Sequence, residues 1–439
     1  MKGWVVDSPM REIDGAIAQM SEVSDALGVE VTSYEDIAYV LRSQEFVTMI
    51  PACGHGSQWN TLLTGDSVIT LAGDDHFSRR RLLMELFKKG ELLEEYEQQY
   101  LIPAFEQAVS RMRATGEEEF DLVPFVRELL VRVVARLVGL DGLDDEARYG
   151  AFEATMARAE LGVRSKFAGD APGLIRQALE AQAELADEYF APAWEERAAM
   201  VRRVAAGEIP ESALKNDLMT TMVLHADHYR TYGSDAAFRE ATLLLIASVG
   251  STTNAICFAV WDLHAWLREH PEDAERRTDA DFMRASFAES LRLGQINTLH
   301  RTAIADAVLP SGLRIAAGQV ALCDRPAGNV SLAVAAGCPM THDEFDPHHG
   351  RFGRVPQYGL AFGGGAHMCL GKNFAIGAPG NSGQAAARYE GVGVRIFLAL
   401  DAEGITPDPE YVPDWDEDLP GRPTWQALPV RLPAEARRP

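Results

Sequence analysis

A glycine-rich stretch near the carboxyl end of the chain contains the residues best suited to chemistry. Residues 361–371 read AFGGGAHMCLG, and a helix-like segment, Leu370 to Ala375, directly follows Cys369. Glycines let a backbone approach a flat or bulky partner closely. A cysteine near the amino terminus of a helix is favoured as the thiolate, because the free N–H groups there carry partial positive charge. The stretch predicts a nucleophile, a metal ligand or a haem ligand; a phosphate-binding loop or a plain turn around a buried cysteine are the alternatives.

Two further patterns lie upstream of the cysteine. Glu289 and Arg292 share one face of a predicted helix and can form an ion pair, although such a pair is usually a solvated surface contact. Residues 243–254 read LLLIASVGSTTN, an apolar helix interrupted by a glycine and by hydroxyl side chains. These residues weaken the hydrogen-bond ladder of a helix and can bend it. The alternative is an ordinary buried helix with small residues for close packing.

With these three features together, the sequence resembles the cytochrome P450 family of haem-thiolate enzymes. The cysteine signature of the family, Phe-x-x-Gly-x-x-x-Cys-x-Gly, matches at Phe362, Gly365, Cys369 and Gly371. Its Glu-x-x-Arg pair matches at Glu289 and Arg292. The resemblance implies that Cys369 is the axial ligand of the iron in haem b.

The resemblance also implies a set of residues that bind the haem propionates. His76 and Arg80 match the His-x-x-x-Arg motif of the family, Arg301 matches a further arginine, and His367 matches a histidine common in bacterial members. Propionates are carboxylates, and charge-assisted hydrogen bonds from Arg and His to carboxylates are strong.

In the long helix, Gly250 and Thr253 match the Gly-x-acid-Thr run with which the family manages oxygen protonation. The acid itself is missing, because Thr252 stands in its place. We therefore expect catalysis to involve Thr253, Thr252 and Gly250. The substrate pocket is expected to include Leu244, Ala247, Ser248, Gln295, Asn297 and Thr298.

Two other departures from the family pattern stand out. The usual arginine after Phe345-Asp346-Pro347 is out of register, and His349 occupies its place. The helix after the cysteine normally continues unbroken, but here the stretch Ile376 to Ala387 intervenes and contains glycines and a proline that must break a helix. We interpret this insertion as an element that selects the redox partner; a tolerated surface insertion is the alternative.

The surrounding elements predict a mainly α fold with small β-sheets, in which residues 1–439 form a single cytochrome P450 domain. Val29 to Thr32 alternates like a strand, and Ser33 caps the helix after it. The segment Asp235 to His270 predicts an unusually long helix that Pro271 closes. Other helical patterns cover Ser8 to Gly28 and residues 76–113, 120–138, 144–160, 172–206 and 209–229.

Composition narrows the functional classes. The 439 residues include 41 Lys and Arg and 65 Asp and Glu, for a net charge of −24. This balance argues against a nucleic-acid partner or a polybasic membrane-surface protein. No apolar run predicts a membrane span or a signal peptide, so we expect a cytoplasmic location. Five cysteines are too few for a disulfide framework and suggest reduced, mostly buried thiols.

These observations predict a haem-thiolate monooxygenase that hydroxylates, demethylates or epoxidises a small organic molecule. Electrons would come from NAD(P)H through a reductase and a ferredoxin or flavodoxin-like partner. That partner would dock beside a basic patch that we expect to contain Arg79, Arg81, Lys88, Lys89 and Lys372. The missing acid leaves a peroxide-driven enzyme, or a non-oxygenating haem-thiolate isomerase or coupling enzyme, as one alternative. A non-catalytic protein that binds haem or another ligand is the other.

Overall fold

The computed structural model describes residues 28–48, 63–88, 95–164, 171–294, 299–337, 343–377, 390–413, 415–416 and 424–433. Several predictions concern residues outside these ranges. They are the amino-terminal helix up to residue 27, the pocket residues Gln295, Asn297 and Thr298, two cysteines, Cys53 and Cys338, the basic residue Lys89, and Ala378 to Ala387 of the insertion.

Helices dominate the described residues, as the sequence predicts. They are α1 (Tyr34–Arg42), α2 (Gly73–Lys88), α3 (Ile102–Thr115), α4 (Leu122–Val138), α5 (Glu146–Arg164), α6 (Ala171–Leu185), α7 (Ala191–Ala205), α8 (Leu218–Leu224), α9 (Ala226–Arg230), α10 (Ala236–Glu269), α11 (Ala280–Leu293), α12 (Arg325–Ala335), α13 (Lys372–Ile376) and α14 (Val392–Ala402). Short π-helical turns cover Glu97–Leu101 and Ala186–Phe190, and 3-10 turns cover Glu211–Ala213, Pro271–Thr278 and Gly365–His367.

The strands are short and form small sheets, which also agrees with the prediction. They are β1 (Gly28–Val31), β2 (Phe46–Val47), β3 (Glu119–Asp121), β4 (Leu299–Ala303), β5 (Ala307–Val308), β6 (Arg314–Ile315), β7 (Val320–Cys323), β8 (Thr406–Pro407), β9 (Trp415–Asp416), β10 (Thr424–Trp425) and β11 (Pro429–Arg431). One sheet has the strand order β1-β7-β4-β2, with β1 parallel to β7 and the other pairs antiparallel. A second sheet has the order β3-β11-β8, and β5-β6 and β9-β10 form antiparallel pairs.

Local signals place the boundaries of two important helices. The side chain of Ser33 accepts a hydrogen bond from the backbone N–H of Asp36, so Ser33 caps α1 as predicted. Helix α10 spans 34 residues and ends before Pro271, which confirms the predicted long helix. Its α-helical conformation continues without a break through Gly250.

Helix α10 is the centre of the main core. It packs against α4, α11 and α14, and its stretch Thr252 to Leu263 is almost entirely buried. By length and hydropathy α10 could cross a membrane, but most of its apolar window is buried inside the protein, as in a core helix. A smaller apolar cluster joins α1 to the four-stranded sheet through Ile37, Leu41 and Ala303.

Candidate active site

Cys369 lies in a tight turn between the 3-10 turn at Gly365–His367 and the short helix α13. The turn closes on itself, because the backbone N–H of Cys369 donates to the carbonyl oxygen of Phe362 at 2.9 Å. Gly365 has a φ of +65°, and a Cβ there would clash with the carbonyl oxygen of Leu41 in α1. The glycine therefore allows the turn to pack directly on α1.

The Cys369 side chain is exposed at the surface of the described residues, but nearby protein atoms remove most of the water from its sulfur. This burial raises the pKa of the thiol, and it is only partly offset by the N–H groups of Gly371 and Lys372 and by the guanidinium groups of Arg80 and Arg325. The N–H groups at the start of the helix favour the thiolate, as expected, but their effect is smaller than that of burial. Helix α13 has only five residues, and the desolvation is larger than its effect.

The predicted propionate ligands converge on this turn. Arg80 in α2 donates from Nη2 to the carbonyl oxygen of Met368 at 2.6 Å. The rings of His76 and His367 lie 3.9 Å apart, measured between their centroids. Arg301 in β4 is buried and acts electrostatically on His367. The structure thus brings together four basic side chains, from α2, β4 and the cysteine turn.

Burial and mutual repulsion keep the two histidines neutral. Burial, the largest cause, and the charges of His76, Arg301 and Arg80 together lower the pKa of His367 to about 3. The pKa of His76 is also lowered, first by burial and then by Arg80. Both imidazoles are therefore hydrogen-bonding groups rather than cations at neutral pH.

The charges around Cys369 provide a test of whether haem fits here. Among the described residues, no carboxylate forms an ion pair with Arg80 or Arg301, and Nε2 of the buried His76 has no hydrogen-bond partner. A buried charge without a counter-charge is costly. A thiolate-ligated group that carries two carboxylates would supply the missing negative charge. The residues present fit haem.

Glu289 and Arg292 form a buried ion pair on α11, as predicted. Nη2 and Nε of Arg292 donate to the two carboxylate oxygens of Glu289 at 2.8 and 2.9 Å, and neither side chain is exposed. His349, which stands where the family has arginine, reaches the same carboxylate. The departure in the sequence is therefore a replacement of one cationic partner by another.

The predicted pocket residues of α10 lie on an accessible stripe of an otherwise buried helix. Leu244, Ala247, Ser248 and Ser251 follow the spacing of one helix face, and all four keep accessible surface. Gly250 borders this stripe, and a Cβ at Gly250 would meet no heavy atom within 4 Å. This face of α10 therefore adjoins open space.

Thr252 and Thr253 lie at the edge of the stripe and are buried. Thr253 donates from Oγ1 to the carbonyl oxygen of Val249 at 2.9 Å, and Ser251 makes the equivalent bond to Ala247 at 2.6 Å. Each hydroxyl uses its proton within the helix and keeps its lone pairs free to accept a hydrogen bond.

One prediction about the basic patch is wrong. Arg79 is fully buried, and its Nη1 lies 2.6 Å from Oε2 of Glu240 in α10, which is also fully buried. Its guanidinium group also lies over the ring of Tyr229, 4.2 Å from the centroid. Arg79 therefore ties α2 to α10 and is not available to a partner, whereas Arg81 is exposed.

Other residues near the turn carry no sequence motif and were not predicted. Arg325 and Asn329 on α12 contact the backbone that leads into the cysteine turn. Exposed Arg42 lies beside a cavity of about 180 Å³ between α1 and the turn, lined also by Tyr34, Leu41, Phe362 and Met368.

No protein-family model matches the chain. A mycinamicin IV hydroxylase/epoxidase of Micromonospora griseorubida is 24% identical over 354 residues, which cover 79% of this chain and 77% of the relative. Cytochrome P450 135B1 of Mycobacterium tuberculosis is 25% identical over 347 residues, 74% of this chain and 69% of the relative.

Solved structures share the fold over nearly the whole chain. P450BioI in complex with an acyl carrier protein ligated to hexadec-9Z-enoic acid matches with a TM-score of 0.67 at 20% identity, covering 97% of this chain and 99% of the other. Epothilone B-bound cytochrome P450epoK matches with a TM-score of 0.69 at 17% identity, covering 95% and 96%. The relatives, the fold and the residues around Cys369 agree, and together they support a bacterial cytochrome P450, a monooxygenase.

Proposed function

We propose that this protein binds haem b through Cys369 and oxidises a bulky organic secondary metabolite by hydroxylation, demethylation or epoxidation. The observation that carries the proposal is the group of four basic side chains around one accessible cysteine. His76 and Arg301 are buried, Arg80 and His367 are partly buried, and Arg80 and Arg301 form no ion pair with a carboxylate among the described residues. Bound haem supplies an iron that takes up dioxygen and electrons, and thiolate ligation favours O–O cleavage.

The residues of the chain have distinct roles in this proposal. Cys369 Sγ would ligate the iron, with Phe362, Gly365 and Gly371 shaping the turn that presents it. The four basic side chains His76, Arg80, Arg301 and His367 would donate hydrogen bonds to the haem propionates. The negative charges of the propionates would also compensate the positive charges of Arg80 and Arg301, which burial destabilises.

Proton supply is assigned to the hydroxyl groups of α10. Thr253 Oγ1 and Thr252 Oγ1 would accept hydrogen bonds from ordered water, and this water would supply the protons that oxygen reduction consumes, in place of the missing acid. Gly250 leaves room beside them for substrate and water.

The size of the substrate is inferred from the accessible stripe of α10. The side chains on this stripe are apolar or carry a hydroxyl group, and they are of modest size, so they leave room for a large substrate. They are Leu244, Ala247, Ser248 and Ser251. A relative named for mycinamicin IV and a fold neighbour solved with epothilone B support a secondary metabolite as substrate. We include Gln295, Asn297 and Thr298 in the pocket on the sequence resemblance alone.

Electrons are proposed to come one at a time from NAD(P)H through a reductase and a ferredoxin or flavodoxin-like partner. Exposed Arg42 lies beside the cysteine turn, and exposed Arg81 directly follows Arg80, whose side chain contacts that turn, in a protein whose net charge is −24. An acidic partner would be steered to such a local basic surface. The proposed location is the cytoplasm, where NAD(P)H is available.

A peroxide-driven reaction is the second candidate, and Thr252 in the position of the acid favours it. One pair of turnover measurements distinguishes the NAD(P)H-driven reaction from the peroxide-driven reaction. Turnover with NAD(P)H and a redox partner is measured against turnover with hydrogen peroxide alone. Product formed only with peroxide would support the second candidate.

The absorption spectrum of the reduced, carbon-monoxide-treated protein tests the proposal. We expect the red-shifted Soret band of thiolate-ligated haem, and we expect Cys369→Ala to abolish it. The buried Cys257 serves as the matched control, because Cys257→Ala should leave the band unchanged. A band that survives Cys369→Ala would refute the assignment of the ligand. Compounds that shift the resting haem to high spin would then identify the substrate.

A further inference from the structure

Helix α12 carries two buried side chains that hold the chain just before the cysteine turn. Asn329 is 2% exposed and accepts a hydrogen bond at Oδ1 from the backbone N–H of Leu360 at 2.8 Å. It also donates from Nδ2 to the carbonyl oxygen of Arg292 at 2.9 Å. One amide therefore connects the entry to the turn with the end of α11, where the Glu289–Arg292 ion pair lies.

The close approach of Asn329 depends on the residue opposite it. Gly359 has a φ of +52°, and a Cβ at this position would collide with Oδ1 of Asn329. The backbone before the turn is thus shaped to receive this side chain.

Arg325 lies one helical turn before Asn329 and contacts the next peptide of the same segment. It is 5% exposed, and its Nη1 donates to the carbonyl oxygen of Ala361 at 2.7 Å. Its guanidinium group also interacts electrostatically with Cys369 and Arg301, and burial lowers its pKa to about 10, so it remains a cation at neutral pH.

We propose that Arg325 and Asn329 are positioning residues for Cys369, and we call this pair the α12 clamp. The path is short: the clamp holds Leu360 and Ala361, and the next carbonyl, that of Phe362, accepts the hydrogen bond from the N–H of Cys369. The clamp fixes the sulfur against a rigid helix. The inference rests on the proposed role of Cys369 as haem ligand.

The two members of the clamp have different effects. Asn329 acts only through the backbone, since it is a neutral amide. Arg325 also keeps a fixed positive charge near the sulfur. Charges and hydrogen bonds outside the ligand set of a metal tune its ligand and its reduction potential. Loss of Arg325 should therefore alter the potential as well as the position of the ligand, whereas loss of Asn329 should alter mainly the position.

The test measures how well thiolate ligation survives mild urea, in variants compared at matched global stability. The variants are Asn329→Ala, Arg325→Gln and Arg325→Lys. Ser331→Ala is the matched control, because Ser331 on the same helix accepts a hydrogen bond from the N–H of Tyr34 at 2.9 Å, in α1 rather than in the turn. The readouts are the rate at which the red-shifted carbon-monoxide band is lost and the reduction potential of the haem.

Substitution of a residue that holds a metal ligand in place typically costs about 10–100-fold in metal affinity. We expect Asn329→Ala and Arg325→Gln to lose the red-shifted band about tenfold faster than the wild type, and Ser331→Ala to match the wild type. The potential should fall in Arg325→Gln and recover in Arg325→Lys. If Asn329→Ala fails to fold, Arg325→Gln carries the comparison, because it removes the contact with Ala361 in the same segment.

Equal rates in all variants, or the same acceleration in Ser331→Ala, would overturn the clamp while leaving the proposed function intact. A wild-type protein without the red-shifted band would instead refute the proposed function, and the clamp with it.

Discussion

Nδ1 of His349 lies 2.8 Å from Oε1 of Glu289, and neither side chain is exposed to solvent. The same carboxylate accepts two hydrogen bonds from Arg292 and one from the backbone N–H of Asp346 at 3.4 Å. One buried anion is thus shared by two side chains and a backbone group. This arrangement joins α11 to the segment that precedes the cysteine turn.

Glu289→Ala should destabilise the fold more than it alters the chemistry. Removing one partner of a buried ion pair leaves an uncompensated charge, which costs on the order of 3–5 kcal/mol. Here both Arg292 and His349 lose their partner. The measurement is the free energy of unfolding in urea. Glu208→Ala breaks an exposed pair with Arg203 and should change it by less than about 1 kcal/mol.

A Glu289→Ala protein with wild-type stability and haem content but no turnover would contradict this structural role. It would show that the carboxylate acts in the reaction itself.

The His349–Glu289 contact also predicts a dependence of stability on pH. The pKa of His349 is raised above its usual 6.5: burial lowers it, but the hydrogen bond to Glu289 and the charge of Glu289 together raise it more, against repulsion from Arg292. A raised pKa in the folded state means stabilisation that is complete below about pH 6.5 and is lost as pH rises through the folded pKa. A hydrogen bond between charged groups contributes about 1.5–3 kcal/mol, which bounds the loss.

His349→Arg is the matched variant for this prediction, because it restores the arginine of the family pattern and keeps its charge at all accessible pH values. Unfolding free energies of both proteins are measured from pH 5 to 9. The wild type should lose stability relative to His349→Arg above neutral pH. Parallel curves would show that His349 does not titrate in this range.

Local motifs were predictable from the sequence because their spacing is short. The cysteine turn and the Glu289–Arg292 pair each lie within one or two helical turns of chain, and the structure places them as expected. The predicted cap at Ser33 and the predicted helix α10 rest on equally local signals.

Contacts between distant segments were not predictable. His76, Arg79 and Arg80 are neighbours on α2, and nothing in the sequence shows that Arg79 turns inward while Arg80 faces the cysteine turn. The partner of Arg79, Glu240, is 161 residues away. The role of Arg325 was not predictable for the same reason. It lies in no motif, and its contact with the carbonyl oxygen of Ala361 is visible only in the folded structure. The single-domain prediction for residues 1–439 stays a prediction.

Thr253→Ala should separate electron consumption from product formation. Positioned proton donors typically contribute about 10²–10⁴-fold, so product formation should fall by about a hundredfold, while NAD(P)H consumption falls much less and hydrogen peroxide accumulates. Haem content and substrate affinity should stay at wild-type values. The ratio of product to NAD(P)H consumed is the measurement.

Thr252→Ala tests whether this hydroxyl replaces the missing acid. Ser286→Ala is the control, since Ser286 makes the same kind of bond as Thr253, to the carbonyl oxygen of Phe282 four residues earlier, but on α11. An unchanged ratio in both threonine variants would mean that protons arrive by another route.

The insertion after the cysteine can be removed at a site where its ends already meet. The sequence predicts that the insertion begins at Ile376. In the structure Ile376 is still part of α13, and the helix ends at Gly377. A Cβ at Gly391, just before α14, would collide with the backbone nitrogen of Gly377, so the two positions are in contact. Glu390, directly before Gly391, forms a part-buried ion pair with Arg284. Deleting residues 378–389 would join Gly377 to Glu390 and keep that ion pair. Because the junction keeps the ion pair and the contact of Gly377 with Gly391, the deletion should keep haem binding and stability within about 1 kcal/mol of the wild type.

If the insertion selects the redox partner, the rate of first electron transfer should change for some ferredoxins and not for others, measured across a panel at fixed ionic strength. Arg284→Gln in the undeleted protein is the control for damage to the junction, since it breaks the ion pair and keeps residues 378–389. Identical partner preference before and after the deletion would remove the selective role, and loss of haem would show that residues 378–389 stabilise the site instead.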